Sequence, residues 1–173
     1  MRGRNIAVRR SGVHGKGVFA VQAIKAGTRV IEYKGERISW KEALRRQQHN
    51  PAELGHTFYF ALEEGDVIDG GADGNSARWI NHSCEPNCEA EEVDARVYIS
   101  TLCDIEPDEE LFYDYGLVID GRQTKKLRKE YACHCGARNC RGTMLAPPDK
   151  EDRKGRKKEG KKEKGKSRKK NTD

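Results

Sequence analysis

Arg78-Trp79-Ile80-Asn81-His82-Ser83-Cys84-Glu85-Pro86-Asn87-Cys88 gathers a guanidinium, an indole, two carboxamides, an imidazole, a hydroxyl and two thiols into eleven residues. Short polar side chains such as Asn81 and Ser83 hydrogen-bond their own backbone, and Pro86 follows them. The stretch therefore reads as a structured turn and no long helix. Turns of this kind are often purely structural, and a lone His is usually a satisfied polar residue. The stretch gains weight from three other segments: a glycine-rich turn at 14–17, the run Glu110-Leu111-Phe112-Tyr113-Asp114-Tyr115-Gly116, and a cysteine triplet at 133–140.

The chain has 173 residues, a length for one domain with a sizeable core. Charge is spread unevenly. Residues 149–173 hold 13 Lys/Arg and 6 Asp/Glu, net +7; taken from +6 for the whole chain, this leaves −1 for residues 1–148. That tail contains no hydrophobic residue, so it cannot offset the entropy of ordering itself and is expected to be disordered. The folded part is then Met1 to about Pro148. No stretch approaches the roughly 18–20 consecutive apolar residues of a membrane span. The basic start Met-Arg-Gly-Arg-Asn has no apolar run behind it, which argues against a signal peptide. Six cysteines in that setting point to a reducing compartment and to metal rather than disulfides.

Taken in order, Asn5–Arg10 reads as a short strand. Gly15 and Gly17 around Lys16 could wrap a ligand with main-chain groups, though a plain hairpin turn is the better reading. A dinucleotide fingerprint does not fit, because an apolar strand and no helix follows. Arg29–Tyr33 is strand-like. Ser39 opens a helix with Glu42 three residues on as a capping box. Trp40, Ala43 and Leu44 form that helix's apolar face, and Pro51 ends it near His49. Thr57–Leu62 and Val67–Asp69 are short strands. Val93–Thr101 reads as one strand with Val93, Ala95, Val97 and Ile99 on one face, and Pro107-Asp108 as a turn. Many short strands and one convincing helix make the fold mostly β with irregular connections.

Cys133-His134-Cys135-Gly136-Ala137-Arg138-Asn139-Cys140 places three thiols at a spacing that suits a tetrahedral ion, and thiolates favour Zn²⁺. A fourth ligand is needed, for which His134 is the local candidate. Cys88 and Cys103 are left over, and Cys103 reads as a core residue.

Together these segments resemble the SET-domain lysine methyltransferases. The central stretch matches the family signature R-[FW]-x-N-H-S-C-x-P-N, and Glu110–Gly116 matches E-L-x-x-D-Y. His14-Gly15-Lys16-Gly17 matches the first cofactor-binding motif, and Tyr33-Lys34-Gly35 resembles a second, Tyr-x-Gly. The resemblance covers residues 8–145. It implies a SET-domain (β-clip) fold of small curved sheets with a pseudoknot between the two central motifs, one short helical insert and a zinc-bound post-SET segment. The implied divisions are 1–120 for the SET domain, 121–148 for the post-SET segment and 149–173 for the basic tail. The fourth zinc ligand by resemblance is Cys84, completing a closed, structural site with Cys133, Cys135 and Cys140.

The implied reaction is methyl transfer from S-adenosylmethionine to a protein lysine. Tyr115 matches the catalytic tyrosine, and Tyr113 the position where Tyr accompanies fewer transferred methyl groups and Phe more. Lys16, Gly17, Asn81 and His82 would hold the cofactor, with Leu145 covering its adenine. Tyr33 and Tyr59 are candidates for the substrate channel, though a half-buried core Tyr33 is equally compatible. Arg78 could touch cofactor or only support the fold.

The implied substrate is a histone or another basic, DNA-associated protein, and the enzyme is expected to be a monomer. Few residues precede the first motif, a minimal form that looks bacterial. The expected location is cytoplasmic, nucleoid-associated in a bacterium, or nuclear if eukaryotic or delivered to a host. The tail is expected either to contact DNA nonspecifically or to act as a solubility segment. Two rival classes are a zinc-containing nucleic-acid-binding module with a basic tail, and an inactive SET scaffold.

Overall fold

A computed structural model describes residues 5–49, 58–119 and 122–147. The basic tail and part of the expected strand Thr57–Leu62 lie outside the described residues. Within them the chain is mostly β, arranged as two two-stranded and two three-stranded sheets.

β1 (Ile6–Arg10) and β2 (Lys16–Ala20) pair antiparallel, with Arg10 opposite Lys16. The turn between them closes through Ser11 N–H on Gly15 O at 3.0 Å. Gly15 takes φ +47°, a left-handed conformation that costs glycine little. The glycine-rich segment is thus a hairpin turn, and its carbonyls face the central stretch.

β3 (Arg29–Tyr33), β8 (Cys88–Val93) and β9 (Arg96–Thr101) form a sheet in the order β3-β9-β8. The long strand expected over Val93–Thr101 is instead broken. Asp94 and Ala95 have φ of +50° and +57° and make a two-residue hairpin turn, so Val93 pairs with Arg96. Val97 and Ile99 do reach the core at 0% exposure; Ala95 belongs to the turn.

β4 (Glu36–Ser39), β5 (Tyr59–Ala61) and β6 (Asp66–Asp69) form the second such sheet, ordered β4-β6-β5. Helix α1 (Trp40–His49) leaves β4 directly, with Ser39 Oγ accepting from Glu42 N–H at 3.3 Å. Arg46 pins the helix to the sheet through Glu36 Oε2 and Asp69 Oδ2, both at 2.8 Å. Ala43 packs with Ile38 and Val67, but Trp40 and Leu44 remain 50% and 43% exposed. The expected apolar face is therefore only partly buried.

β7 (Asn81–His82) and β10 (Phe112–Tyr113) pair in parallel. The chain around β10 also bonds the loop after β7. Ser83 N–H donates to Tyr113 O (3.2 Å), Phe112 N–H to Asn87 Oδ1 (2.8 Å), and Asn87 Nδ2 to Glu110 O (2.8 Å). The two central motifs interlace, the kind of crossing that the family resemblance implies. Tyr33, Ile80, Leu111 and Tyr113 meet in the main core.

A second helix, α2 (Lys125–Glu130), was not legible from periodicity because it buries no residue. It rests on its cap, Thr124 Oγ1 accepting from Leu127 N–H at 3.2 Å. Cys88 is fully buried, whereas Cys103, expected in the core, is exposed.

Candidate active site and metal centre

The aromatic cluster is built on the strand that threads the central stretch. Tyr113 and Tyr115 alternate along an extended segment and share a face, and their ring centroids lie 4.9 Å apart. The Tyr115 hydroxyl donates to Ile80 O at 2.9 Å, and its N–H donates to His82 Nδ1 at 3.0 Å. Both ends of this tyrosine therefore hang on the central stretch. Tyr33, only 4% exposed, donates its hydroxyl to Phe58 O at 2.8 Å. Burial pushes all three phenols above their usual range, so they stay neutral near pH 7. A neutral phenol there orients and polarises; it does not remove protons.

Tyr59 is not brought to this group. Side chains alternate along β5, so Phe60 faces Tyr33 (5.6 Å between rings) while Tyr59 packs against Ile38, Ala43 and Val67 beneath α1. Phe58, two residues before Phe60, stands edge-on to Trp79 at 5.0 Å. The strand's period of two could have singled out Phe58 and Phe60 in place of Tyr59.

Asn81 gathers the cofactor-type motifs. Its Nδ2 lies 3.3 Å from His14 O, 2.9 Å from Lys16 O and 2.9 Å from Glu110 Oε1. Glu110 Oε2 accepts from Ser11 Oγ at 3.0 Å. A Cβ on Gly17 would collide with Glu110 Oε1 and come within 3.1 Å of Ser11 Cβ. Gly17 is what permits this approach. Lys16 Nζ sits 4.6 Å from the Trp79 ring centroid, and Arg78 Cζ 4.8 Å from it. Arg78 also donates to Gly70 O at 3.0 Å, a supporting contact within the fold.

The His82 side chain faces inward. Because Nδ1 accepts from Tyr115 N–H, the network assigns the ring proton to Nε2, 3.3 Å from Cys84 Sγ. Burial lowers its pKa, with Asp114 opposing, so the ring is neutral. The imidazole links the tyrosine strand to the sulfur cluster. Leu145 is fully buried and bridges in parallel to Leu117.

The sulfurs of Cys84, Cys133, Cys135 and Cys140 lie within 4.8 Å of one another. A tetrahedral ion with Zn–S bonds of about 2.3 Å requires S···S separations of about 3.8 Å. Cys84 Sγ lies 3.7 Å from Cys133 Sγ and 3.9 Å from Cys140 Sγ. Backbone N–H groups already point at these sulfurs: Arg141 at Cys84, Gly142 at Cys140 and Cys135 at Cys133, each 3.4 Å away. Burial pushes the Cys135 thiol up, but hydrogen bonds from the Cys84 and Ala137 backbone outweigh it and hold its pKa at about 6. His134 is exposed, and Cys88 and Cys103 stand outside the cluster. The donor set and its spacing fit zinc.

Residues 15–116 match the family model described as "SET domain". The histone-lysine N-methyltransferase, H3 lysine-4 specific, of Aspergillus oryzae is 38% identical over 140 residues, 78% of this chain and 11% of that protein. The protein of the same description from Saccharomyces cerevisiae is 37% identical over 78% of this chain and 13% of its own length. The chain thus spans a small part of these relatives. Among solved structures, ctPRC2 in an autoinhibited conformation bound to S-adenosylmethionine has a TM-score of 0.60 at 34% identity, covering 65% of this chain and 15% of that one. The Chaetomium thermophilum polycomb repressive complex 2 gives 0.61 at 32% identity, over 66% and 16%. With its interlaced central motifs and a family match over most of its described residues, this chain belongs to the SET-domain family.

Proposed function

We propose that the chain is an S-adenosylmethionine-dependent protein-lysine N-methyltransferase that carries one structural zinc ion. The observation that carries this reading is the suspension of neutral Tyr115 from Ile80 O and His82 Nδ1, beside the Asn81-centred cradle. Lys16, Gly17 and Asn81, with the main chain of His82, would hold the cofactor, which supplies an electrophilic methyl group on a sulfonium. Leu145 would back that pocket from the C-terminal side. Cys84, Cys133, Cys135 and Cys140 would hold the zinc.

A displacement on carbon needs alignment of the nucleophile and an unprotonated amine. The buried ring faces of Tyr33, Tyr113 and Tyr115 disfavour the ammonium form of a lysine near pKa 10.4 by desolvation. The Tyr115 hydroxyl, held before the substrate arrives, orients the amine. Tyr113 limits how far the methylated nitrogen can turn, which favours mono- over higher methylation.

Histone-directed relatives and the basic character expected of the partner favour a histone-like or other DNA-associated substrate. The enzyme then works with chromatin or its bacterial counterpart. The tail's net +7 makes a nonspecific DNA contact an accessory role. Incubating the chain with radiolabelled S-adenosylmethionine and core histones tests the proposal. Label incorporated into histone lysine supports it, and DNA binding without any incorporation would favour the zinc-module alternative.

A further inference from the structure

We infer that Asp114 and Arg141 form a positioning pair through which the metal-bound segment holds Tyr115 in place; this rests on Tyr115 being the substrate-orienting hydroxyl. Asp114 stands between the two clustered tyrosines. Its carboxylate takes Arg141 Nη1 on Oδ2 and Nη2 on Oδ1, both at 2.7 Å. Asp114 Oδ1 also accepts from Gly116 N–H at 3.0 Å and lies 3.5 Å from His82 Nδ1. The carboxylate is therefore held by Arg141 and by the N–H of the residue that follows Tyr115.

Arg141 is fixed in turn. It follows Cys140 directly, its N–H points at Cys84 Sγ at 3.4 Å, and its carbonyl accepts from Arg128 Nη2 at 3.0 Å. Its Nε is buried and has no hydrogen-bond partner among the described residues. A guanidinium that leaves one buried donor unused, yet keeps a two-point grip on a carboxylate, is placed for that grip. β10, two positions before Tyr115, is only two residues long and has a single parallel partner among the described residues. Such a short pairing does not by itself fix the residue two positions beyond it. The planar fork adds to the two hydrogen bonds that Tyr115 makes to the central stretch by fixing the backbone that carries it, and a Lys would replace it with a single movable point. The sulfur cluster thus reaches the chemistry by this ion pair as well as through the His82 imidazole.

Asp114→Asn and Arg141→Lys test this in the full-length chain. Three quantities are read: zinc per chain, calorimetric affinity for S-adenosylhomocysteine, and the single-turnover methyl-transfer rate. Hydrogen exchange at the Tyr115 amide, the group donated to His82 Nδ1, is measured alongside. Both variants should keep their zinc and their cofactor affinity. Their rate should fall about a hundredfold, as expected when a reacting group is displaced by about 1 Å. The Tyr115 amide should exchange faster. In Arg141→Ala, added ethylguanidinium should restore part of the rate. A near-native rate, or unchanged exchange at Tyr115, would overturn the inference. So would loss of zinc in the conservative variants, since the pair would then serve the metal and not the tyrosine. If the native chain itself transfers no methyl group, the proposed activity fails, and the exchange measurement alone decides the pair.

Discussion

Replacing Gly17 with Ala should weaken cofactor binding by up to about 30-fold. The added Cβ occupies the space of Glu110 Oε1, so the carboxylate must turn away. That breaks two contacts at once, the Asn81 Nδ2 donation at 2.9 Å and the Ser11 Oγ donation at 3.0 Å. Hydrogen bonds to a charged group contribute about 1.5–3 kcal/mol each. Glu110 is only partly buried, so water recovers a share of the loss. A net cost of about 2 kcal/mol corresponds to about 30-fold in Kd. Part of that cost falls on the fold, because Glu110 and Asn81 also tie the β1–β2 turn to the central stretch. Calorimetry with S-adenosylhomocysteine measures the binding loss, and urea unfolding measures the stability loss. Adding Glu110→Ala relieves the collision, so the double variant should lose less than the sum of the two single changes. Native affinity in Gly17→Ala would refute the cradle built on Asn81 and Glu110.

Cys84→Ser should release the zinc, whereas Cys88→Ser and Cys103→Ser should retain it; metal analysis of the purified variants checks this, and a fully loaded Cys84→Ser protein would contradict the site. Tyr115→Phe should leave S-adenosylhomocysteine affinity nearly intact while single-turnover activity falls by roughly 10²–10³, the worth of one preorganised hydroxyl. Tyr113→Phe should shift the product towards di- and trimethyl-lysine, read by mass spectrometry of a peptide substrate; abundant trimethyl-lysine from the native enzyme would show that Tyr113 does not set the limit.

What the sequence showed, and what it hid, follows from the range of the interactions involved. Ser39 and Glu42 start α1 through a contact three residues long, and that boundary was legible. The Asp94-Ala95 turn was not, because Ala95 stands where glycine usually follows Asp in a turn with two positive-φ positions. Helix α2 was silent because it has no buried face for periodicity to report. Within the site, the four cysteines were readable, three from their spacing and Cys84 from the family resemblance, and their sulfurs do meet. Tyr59 was misplaced by one step of strand alternation. The inward turn of His82 and the Asp114–Arg141 grip depend on contacts across the fold, the latter 27 residues apart, so no local pattern announced them.

Tandem mass spectrometry tests methyl transfer to a lysine side chain most directly. Native chain, zinc-loaded, is incubated with S-adenosylmethionine and histones, and the products are sequenced alongside those of Tyr115→Phe. A mass gain of one methyl group on lysine ε-nitrogen is expected with native protein, nearly absent with Tyr115→Phe. No gain on any lysine, or equal gain with both proteins, would contradict it.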